Sequence, residues 1–512
     1  MKSEFRYSNP VIRGFCPDPS ICRAKDKYYL VCSSFQYFPG IPVFESCDLI
    51  NWKLIGHVLT RKSQLPLKGA DSSSGIYAPT IRFYKGRFYL VTTNQNGCGN
   101  FLVWTDDIYG EWSEVIPIQR DGIDPSLYFE DDHVYFMSNH EETDGTNSIM
   151  QCEINPYTGE ILTEARCIWK GCGGRYLEAP HLYKKDGWYY LIAAEGGTEY
   201  GHMVVAARSR ELYGPYEVPA PDSEYANPVL TNRNLGGYPL QGAGHADLVQ
   251  DGKGNWWMVL LAFRQKGRYC LHHHLGREVC LVPVEFSEDH WIKAGENKTA
   301  RLEMKVADAG ILRKQTFVNR QTFENTQPGR EWVYLRNPAE ENYQFCLPDW
   351  MKLKGTEITL DDKEASPAFL GIRQQEMNGK VKVKLLLTAG EAGMTFYMDQ
   401  NHHYDLALVR SGQAACLIKR RTIGDMQYIQ QEQILPQETA EIWLEAEMTA
   451  DEYRLKAYTA DGSLSYDFGS AWTQYLSSET NCGFTGVMIG LYAVETKDTF
   501  AEFSKFEYEM FR

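Results

Sequence analysis

Apolar and polar positions follow one phrase five times in the first half of the chain. The copies are DPSICRAKDKYYLV from Asp18, APTIRFYKGRFYLV from Ala78, DPSLYFEDDHVYFM from Asp124, APHLYKKDGWYYLI from Ala179 and ADLVQDGKGNWWMVL from Ala246. Each has a small or acidic head, a short apolar-leaning run, a polar turn and an aromatic-rich run. Such paired runs predict β-hairpins. The gaps hold further strand signals across turns containing Asp, Gly or Pro: IPVFESCDLINWKLIGHVL, FLVWTDDIYGEWSEVIPI and HMVVAARSRELYGPYEV. Heads spaced by about 60, 46, 55 and 67 residues leave room for several strands per unit, as in propeller blades. No long amphipathic helical pattern interrupts them. The first half therefore predicts a five-bladed β-propeller.

From about Phe323 the phrase disappears, after a transitional stretch over residues 280–322. The rest of the chain alternates apolar and polar positions in KVKVKLLLTAG, AGMTFYMDQNHHYDLALV, AEIWLEAEMTADEYRLKAY and TGVMIGLYAV. Strands at this spacing predict a β-sandwich. The 512 residues exceed one ordinary core. The expected division is a propeller over 1–310 and a sandwich over 311–512, in an all-β chain.

Composition narrows the partners. The net charge is −15, from 52 basic and 67 acidic residues. That leaves no basic footprint for nucleic acid or an anionic membrane surface, and is compatible with a neutral ligand. Aromatics make up 13% of the chain. They favour strands, and they also offer flat faces to sugars. The 13 cysteines include no CxxC pair, which argues against a zinc ribbon. No apolar stretch of signal-peptide length opens the chain, and no run long enough to span a bilayer is present. Many cysteines without a leader predict free thiols in a reducing cytoplasm.

The heads carry the chemistry. Asp18 lies in FCPDPSI, Asp124 in GIDPSLYF and Glu178 in RYLEAPHLY. Innermost propeller strands begin around one central opening, so residues at matching phase converge there. Asp-Pro-Ser is also a turn signature, but recurrence at one phase, and a glutamate among apolar neighbours, favour a shared site. Proline after Asp18 and Asp124 predicts an extended backbone at both. Converged carboxylates suit glycosidic bond cleavage, which needs one protonated and one ionised group. Glu178, between Leu177 and Ala179, is the expected acid, because apolar surroundings raise a carboxyl pKa. Asp18 is the expected base, and Asp124 the carboxylate that raises the acid's pKa by like charge and holds it in place. Retention or inversion depends on carboxylate separation, which sequence does not give.

Two further motifs leave alternatives open. His245, in QGAGHADLV, shares the phase of Glu178 and has three possible roles: binding a metal, binding substrate or filling the axis. Three consecutive histidines, His272–His274, point to alternate faces of a strand and cannot all hold one ion. Arg277, in LGREV, is placed to reach a sugar hydroxyl or a carboxylate, or to form a surface salt bridge.

These motifs together resemble glycoside hydrolase family 43, in its two-domain β-xylosidase and α-L-arabinofuranosidase form. NPVIRGFCPDPSI, GIYAPTIR, GIDPSLYF, EAPHLYKKDGWYYLIAAEGGTEYGH, GHADLV and LGRE carry the likeness, which continues in FLGIRQQ and CGFTGVMIGLY. The resemblance implies a propeller plus a sandwich that contributes to the pocket, and inverting exo-hydrolysis. By motif match it implies Asp18 as general base, Glu178 as general acid, Asp124 as the tuning carboxylate, and substrate contacts from Arg277, Phe35, Tyr77 and Phe484. His245 matches a channel histidine that in family members holds a calcium ion or a water; the chemistry itself requires no cofactor. Many β-xylosidases of this kind have Trp at the position of Tyr77, Gly-Pro in place of Ala179-Pro180, and Ala-Ser in place of Pro125-Ser126. The expected substrates are xylo- or arabinoxylo-oligosaccharides, with terminal β-D-xylose or α-L-arabinofuranose released; a homo-oligomer is left open. The rivals are a sugar-binding propeller without catalysis, and transferase or phosphorylase chemistry on the same fold.

Overall fold

The computed structural model describes residues 4–512 apart from 268, 308–309, 324–326, 347 and 438. Each phrase folds as a hairpin that starts an antiparallel sheet. The first sheet runs Ser20–Ala24, Lys27–Val31, Gly40–Ser46, Lys53–Leu59. The second, third and fifth open with Thr80–Tyr84, Ser126–Glu130 and Leu240–Gln250 and also have four strands. The fourth, opening with Glu178–Lys185, has three. The opening strands touch in sequence, and Leu240–Gln250 returns against Ser20–Ala24, so the sheets form a closed, propeller-like ring.

The aromatic runs read as nearly continuous apolar strands because both faces of each sheet are covered. In Arg87–Asn94, Phe88 and Leu90 join the core shared with the first sheet, while Tyr89 and Val91 join the core shared with the third. A strand buried on one face only would alternate with polar residues. Each fully buried side chain of this size contributes about 1.5–3 kcal/mol, so every inter-sheet core adds to closure.

One expected strand is missing. HMVVAARSRELYGPYEV gives Met203–Ser209, but its second half reaches the sheet only through a single bridge, Arg208 to Glu217. Pro215, Pro219, Pro221 and Pro228 crowd this stretch. Proline has no N–H to donate to a ladder, which prevents a regular fourth strand.

The second half forms two facing antiparallel sheets. In one, Asn378–Leu386 lies beside Ala501–Phe511 and Glu441–Met448; the other is built around Gly390–Asp399, His402–Ser411 and Met488–Val494. Val381, Val383 and Leu385 point into the core between them, against residues such as Met394, Phe396 and Leu406. The intervening Lys380, Lys382 and Lys384 pair with Glu445, Glu507 and Glu441. This is the β-sandwich predicted by alternation. Strand Tyr334–Leu335 pairs with Tyr37–Phe38, which lies in the connection between the strands Lys27–Val31 and Gly40–Ser46 of the first sheet. Among the described residues, no helix is long and apolar enough to cross a membrane.

Candidate active site

The strand heads bend sharply. Asp18 (φ 56°), Asp124 (φ 51°), Ala179 (φ 52°) and His245 (φ 44°) all have left-handed backbone. The extended conformation expected before proline at Asp18 and Asp124 is therefore wrong. Aspartate tolerates the left-handed region because its short side chain can bond locally. Register shifts beside Glu178 and on both sides of His245 mark bulges, which re-aim side chains at functional ends of strands.

All eight residues singled out from sequence meet in one cavity. Asp18, Asp124, Glu178, His245, Arg277, Phe35, Tyr77 and Phe484 line it, with Ala78, Ile123 and Thr198. The Ser33 hydroxyl donates to Asp18 Oδ2 at 2.5 Å, and Arg277 Nη1 donates to Asp18 Oδ1 at 3.0 Å. Arg277 also donates to Thr198 Oγ1 at 2.6 Å and, from Nη2, to the Phe484 carbonyl at 3.1 Å. Of the alternatives for Arg277, the structure shows contact with a carboxylate inside the site. His245 Nδ1 lies 3.6 Å from Asp18 Oδ1 and 3.9 Å from Asp124 Oδ2.

The three carboxyls differ in proton affinity. Burial alone would raise Asp18, but Arg277, His245 and the Ser33 hydrogen bond outweigh it and hold this carboxyl below its ordinary value. Burial, then the charge of Asp18, pushes Glu178 up to about 7 against the pull of Arg277. Burial, then the charges of Glu178 and Asp18, pushes Asp124 well above the usual carboxylate range. Asp124 and Glu178 interact by like charge, and both carboxyls are raised. Burial also lowers His245 from its usual value, keeping the imidazole neutral.

Aromatic rings close one side. Phe35 stacks on Phe484 at 6.0 Å, and Tyr77 meets Phe35 edge-on at 5.5 Å. Phe484 arrives from the sandwich, its N–H donating to Ser73 Oγ at 2.8 Å. The triple histidine makes the seam that delivers it. His273 stacks on Phe263 at 3.8 Å and bonds Glu479 at 2.8 Å; His272 approaches Thr473 at 3.3 Å; the His274 carbonyl accepts from Val487 N–H at 2.8 Å. Gly276 has φ 77°, and a Cβ there would lie 3.0 Å from Gly486 Cα, so glycine permits the LGRE turn to lie against the Phe484 loop.

Sequence reasoning missed Ser33, Thr198 and Ser73, which carry no pattern of their own. It also missed a buried cluster on the inner strands next to the site. Asp247 accepts from Ser20 Oγ at 2.6 Å, Arg82 Nη1 at 2.7 Å, Tyr183 and the N–H groups of Ile21 at 3.0 Å and Leu248 at 2.9 Å. Arg82 Nη2 also lies 2.8 Å from His181 Nδ1. A charged residue inside an apolar strand, as in PTIRF and HADLV, was the available signal.

Among the described residues, no group of three or more His, Cys, Asp or Glu is arranged to hold a metal ion. Calcium takes six to eight oxygen ligands. The carboxylate nearest His245 is that of Asp18, already bonded to Ser33 and Arg277. Side chains alone therefore do not complete a calcium shell there.

Comparisons with known proteins agree with this geometry. Residues 7–292 match the model of glycosyl hydrolases family 43, and residues 320–509 match the beta xylosidase C-terminal concanavalin A-like domain. A non-reducing end alpha-L-arabinofuranosidase of Bacteroides ovatus is 39% identical over 500 residues, 95% of this chain and 91% of that protein. A xylosidase/arabinosidase of Butyrivibrio fibrisolvens is 36% identical, over 98% of this chain and 99% of its own. The solved Bacteroides ovatus Xyloglucan PUL GH43B superimposes with a TM-score of 0.91 at 35% identity, covering 99% of this chain and 100% of that one. The ring of sheets, its pocket of carboxylates and the sandwich loop that reaches into it thus belong to a member of glycosyl hydrolases family 43.

Proposed function

We propose that the protein is an inverting, exo-acting glycoside hydrolase that releases terminal β-D-xylose from xylo-oligosaccharides. The observation that carries this is the divergence of two carboxyls in one aromatic-walled cavity: Asp18 is held ionised, while Glu178 is pushed up to about 7. Groups whose proton affinities are driven apart make a base and an acid at one pH. Asp18 accepts a proton from water as that water attacks the anomeric carbon. Glu178 gives its proton to the leaving oxygen as the glycosidic bond breaks. Asp124 keeps a second proton-binding group beside Glu178 and restrains its position. Arg277 holds Asp18 ionised and ties the Phe484 loop to it. A wall closed by Phe35, Tyr77 and Phe484 favours a chain end over a chain interior.

A second reading is favoured by one observation. The 39% identical Bacteroides ovatus relative is an alpha-L-arabinofuranosidase, and Tyr77 stands in the wall where many β-xylosidases have Trp. Release of α-L-arabinofuranose from arabinoxylo-oligosaccharides, alone or beside xylosidase activity, is therefore the alternative. Rates on nitrophenyl β-D-xylopyranoside and α-L-arabinofuranoside, measured side by side, decide between them. Internal cleavage of long xylan with no action on either pentoside would sink both.

In this reading the five sheets act as blades of a five-bladed propeller over 1–310, and 311–512 forms the sandwich. Cytoplasmic placement is supported by 13 cysteines, all free in the structure. An ion at His245 would draw most of its oxygens from water, and no step above passes through it.

A further inference from the structure

A cavity of about 580 Å³ lies between the two halves of the chain and shares no lining residue with the carboxylate pocket. The first sheet supplies Phe44 from Gly40–Ser46 and Lys53 from Lys53–Leu59. The sandwich supplies Arg373, the last residue of Ala368–Arg373, and Met510 from Ala501–Phe511. This volume suits a small-molecule ligand.

Charge sets this cavity apart. In a chain of net charge −15, five cationic side chains line it, Arg13, Lys53, Arg320, Arg373 and Arg512, against two acidic ones, Glu331 and Glu376. Glu376 is already shared: Arg13 pairs with it, Arg264 Nη1 donates to it at 2.7 Å, and Arg512 Nε lies 3.6 Å away. Arg373 is only 7% exposed, and among the described residues no carboxylate pairs with it; its Nε donates to the Phe15 carbonyl at 2.7 Å. Arg13 Nε is buried with no hydrogen-bond partner. Burial, then the charges of Arg264 and Arg512, lowers Arg13 to about 10. The Phe317 ring packs on these cations, with its centre 4.5 Å from the Arg13 guanidinium and 3.0 Å from that of Arg512. Such stacking orders a guanidinium while leaving its in-plane N–H groups to other partners.

A buried guanidinium without a counter-charge is costly, and the neutral Phe15 carbonyl offsets only part of that cost. An anion in the cavity would complete the pairing, because the arginine fork matches the paired oxygens of carboxylate and phosphate. The half-buried Phe44 and Trp52 add ring faces suited to a sugar-sized body.

We propose that this cavity is a second ligand site, for a sugar-sized organic anion whose phosphate or carboxylate head is held by Arg373, Arg13 and Arg512. It is separate from the hydrolytic site and does not rest on the substrate proposed there. Isothermal titration with a pentose 5-phosphate and with glucuronic acid tests it. At least one should bind with half-saturation below about 1 mM, more weakly as NaCl is added. Tighter binding of the pentose phosphate assigns a phosphate head; tighter binding of glucuronic acid assigns a carboxylate head. Arg373→Gln, which keeps a donor for the Phe15 carbonyl, should weaken the better ligand by about tenfold or more, the scale of one charge-assisted hydrogen bond. Arg512→Gln, at the exposed edge, should weaken it by about threefold, and it decides alone if Arg373→Gln does not fold. A wild type that binds neither acid below about 1 mM would overturn the proposal. So would affinities within about twofold of wild type in the folded variants, because the anion would then sit elsewhere.

Discussion

Two clusters of buried ionisable groups sit side by side on the inner strands, and they behave oppositely. Around Asp247, one carboxylate meets Arg82, two hydroxyls and two backbone N–H groups, with every oxygen satisfied. Burial opposes that charge, but Arg82 and the hydrogen bonds win and hold the carboxyl far below its usual range. Around Asp18, three carboxyls share one guanidinium, that of Arg277. There burial first, and then the like charges of the neighbouring carboxyls, raises Glu178 and Asp124 against the single opposing guanidinium. Burial is common to the two clusters, so burial does not mark the chemistry. A deficit of positive partners does, because it leaves a proton in place to be given away.

The comparison breaks most sharply at Glu178. Glu178→Gln should lower kcat on unactivated oligosaccharides by about 10²–10⁴-fold with the melting temperature nearly unchanged, since general acid catalysis has that scale. Asp247→Asn should do the reverse. It strands the buried Arg82 charge and should cost about 3–5 kcal/mol of stability, seen in denaturant melts, with rate per folded molecule changed far less. A Glu178 variant that loses stability instead, or an Asp247 variant that keeps it, would erase the distinction.

How much of this contrast could be read from sequence depends on what carries each part. The sheets were legible because both faces of their second strands are buried, which leaves long apolar runs between polar turns. The converging heads were legible because strand phase repeats. Asp247 and Arg82 lie on the same phrases, but inside the strands, where a single charge among apolar residues does not announce its partner. The Arg277 bond to the Phe484 carbonyl joins positions 207 apart, and no local pattern encodes it. The backbone at Asp18 and Asp124 was misjudged because the rule for residues before proline describes average chains. Here a bent entry, fixed at Asp18 by Ser33, overrides it.

Smaller effects sharpen the role of the seam. Phe484→Ala should raise KM by about five- to tenfold with little change in kcat, as expected for losing one aromatic contact to a sugar. Glu479→Gln removes the charge facing His273 and should cost about 1–2 kcal/mol of stability, measured by denaturant melts, with a slight rise in KM as the loop loosens. A KM that stays at the wild-type value in Phe484→Ala would exclude the sandwich from the pocket's function.

The most direct measurement is the pH profile of kcat/KM on an activated dinitrophenyl pentoside, for wild type and Glu178→Gln. Asp18 is held below its ordinary value, so its ionised form persists and the acidic limb lies low. Glu178 is raised, so its proton is present below about pH 7 and lost above it, and the wild type should decline through about 7. An activated leaving group needs little protonation, so the variant keeps measurable turnover. The account predicts that the decline near pH 7 disappears in Glu178→Gln. The same decline persisting in that variant would assign it to another group and contradict the claim that Glu178, raised by burial and by the charge of Asp18, is the acid.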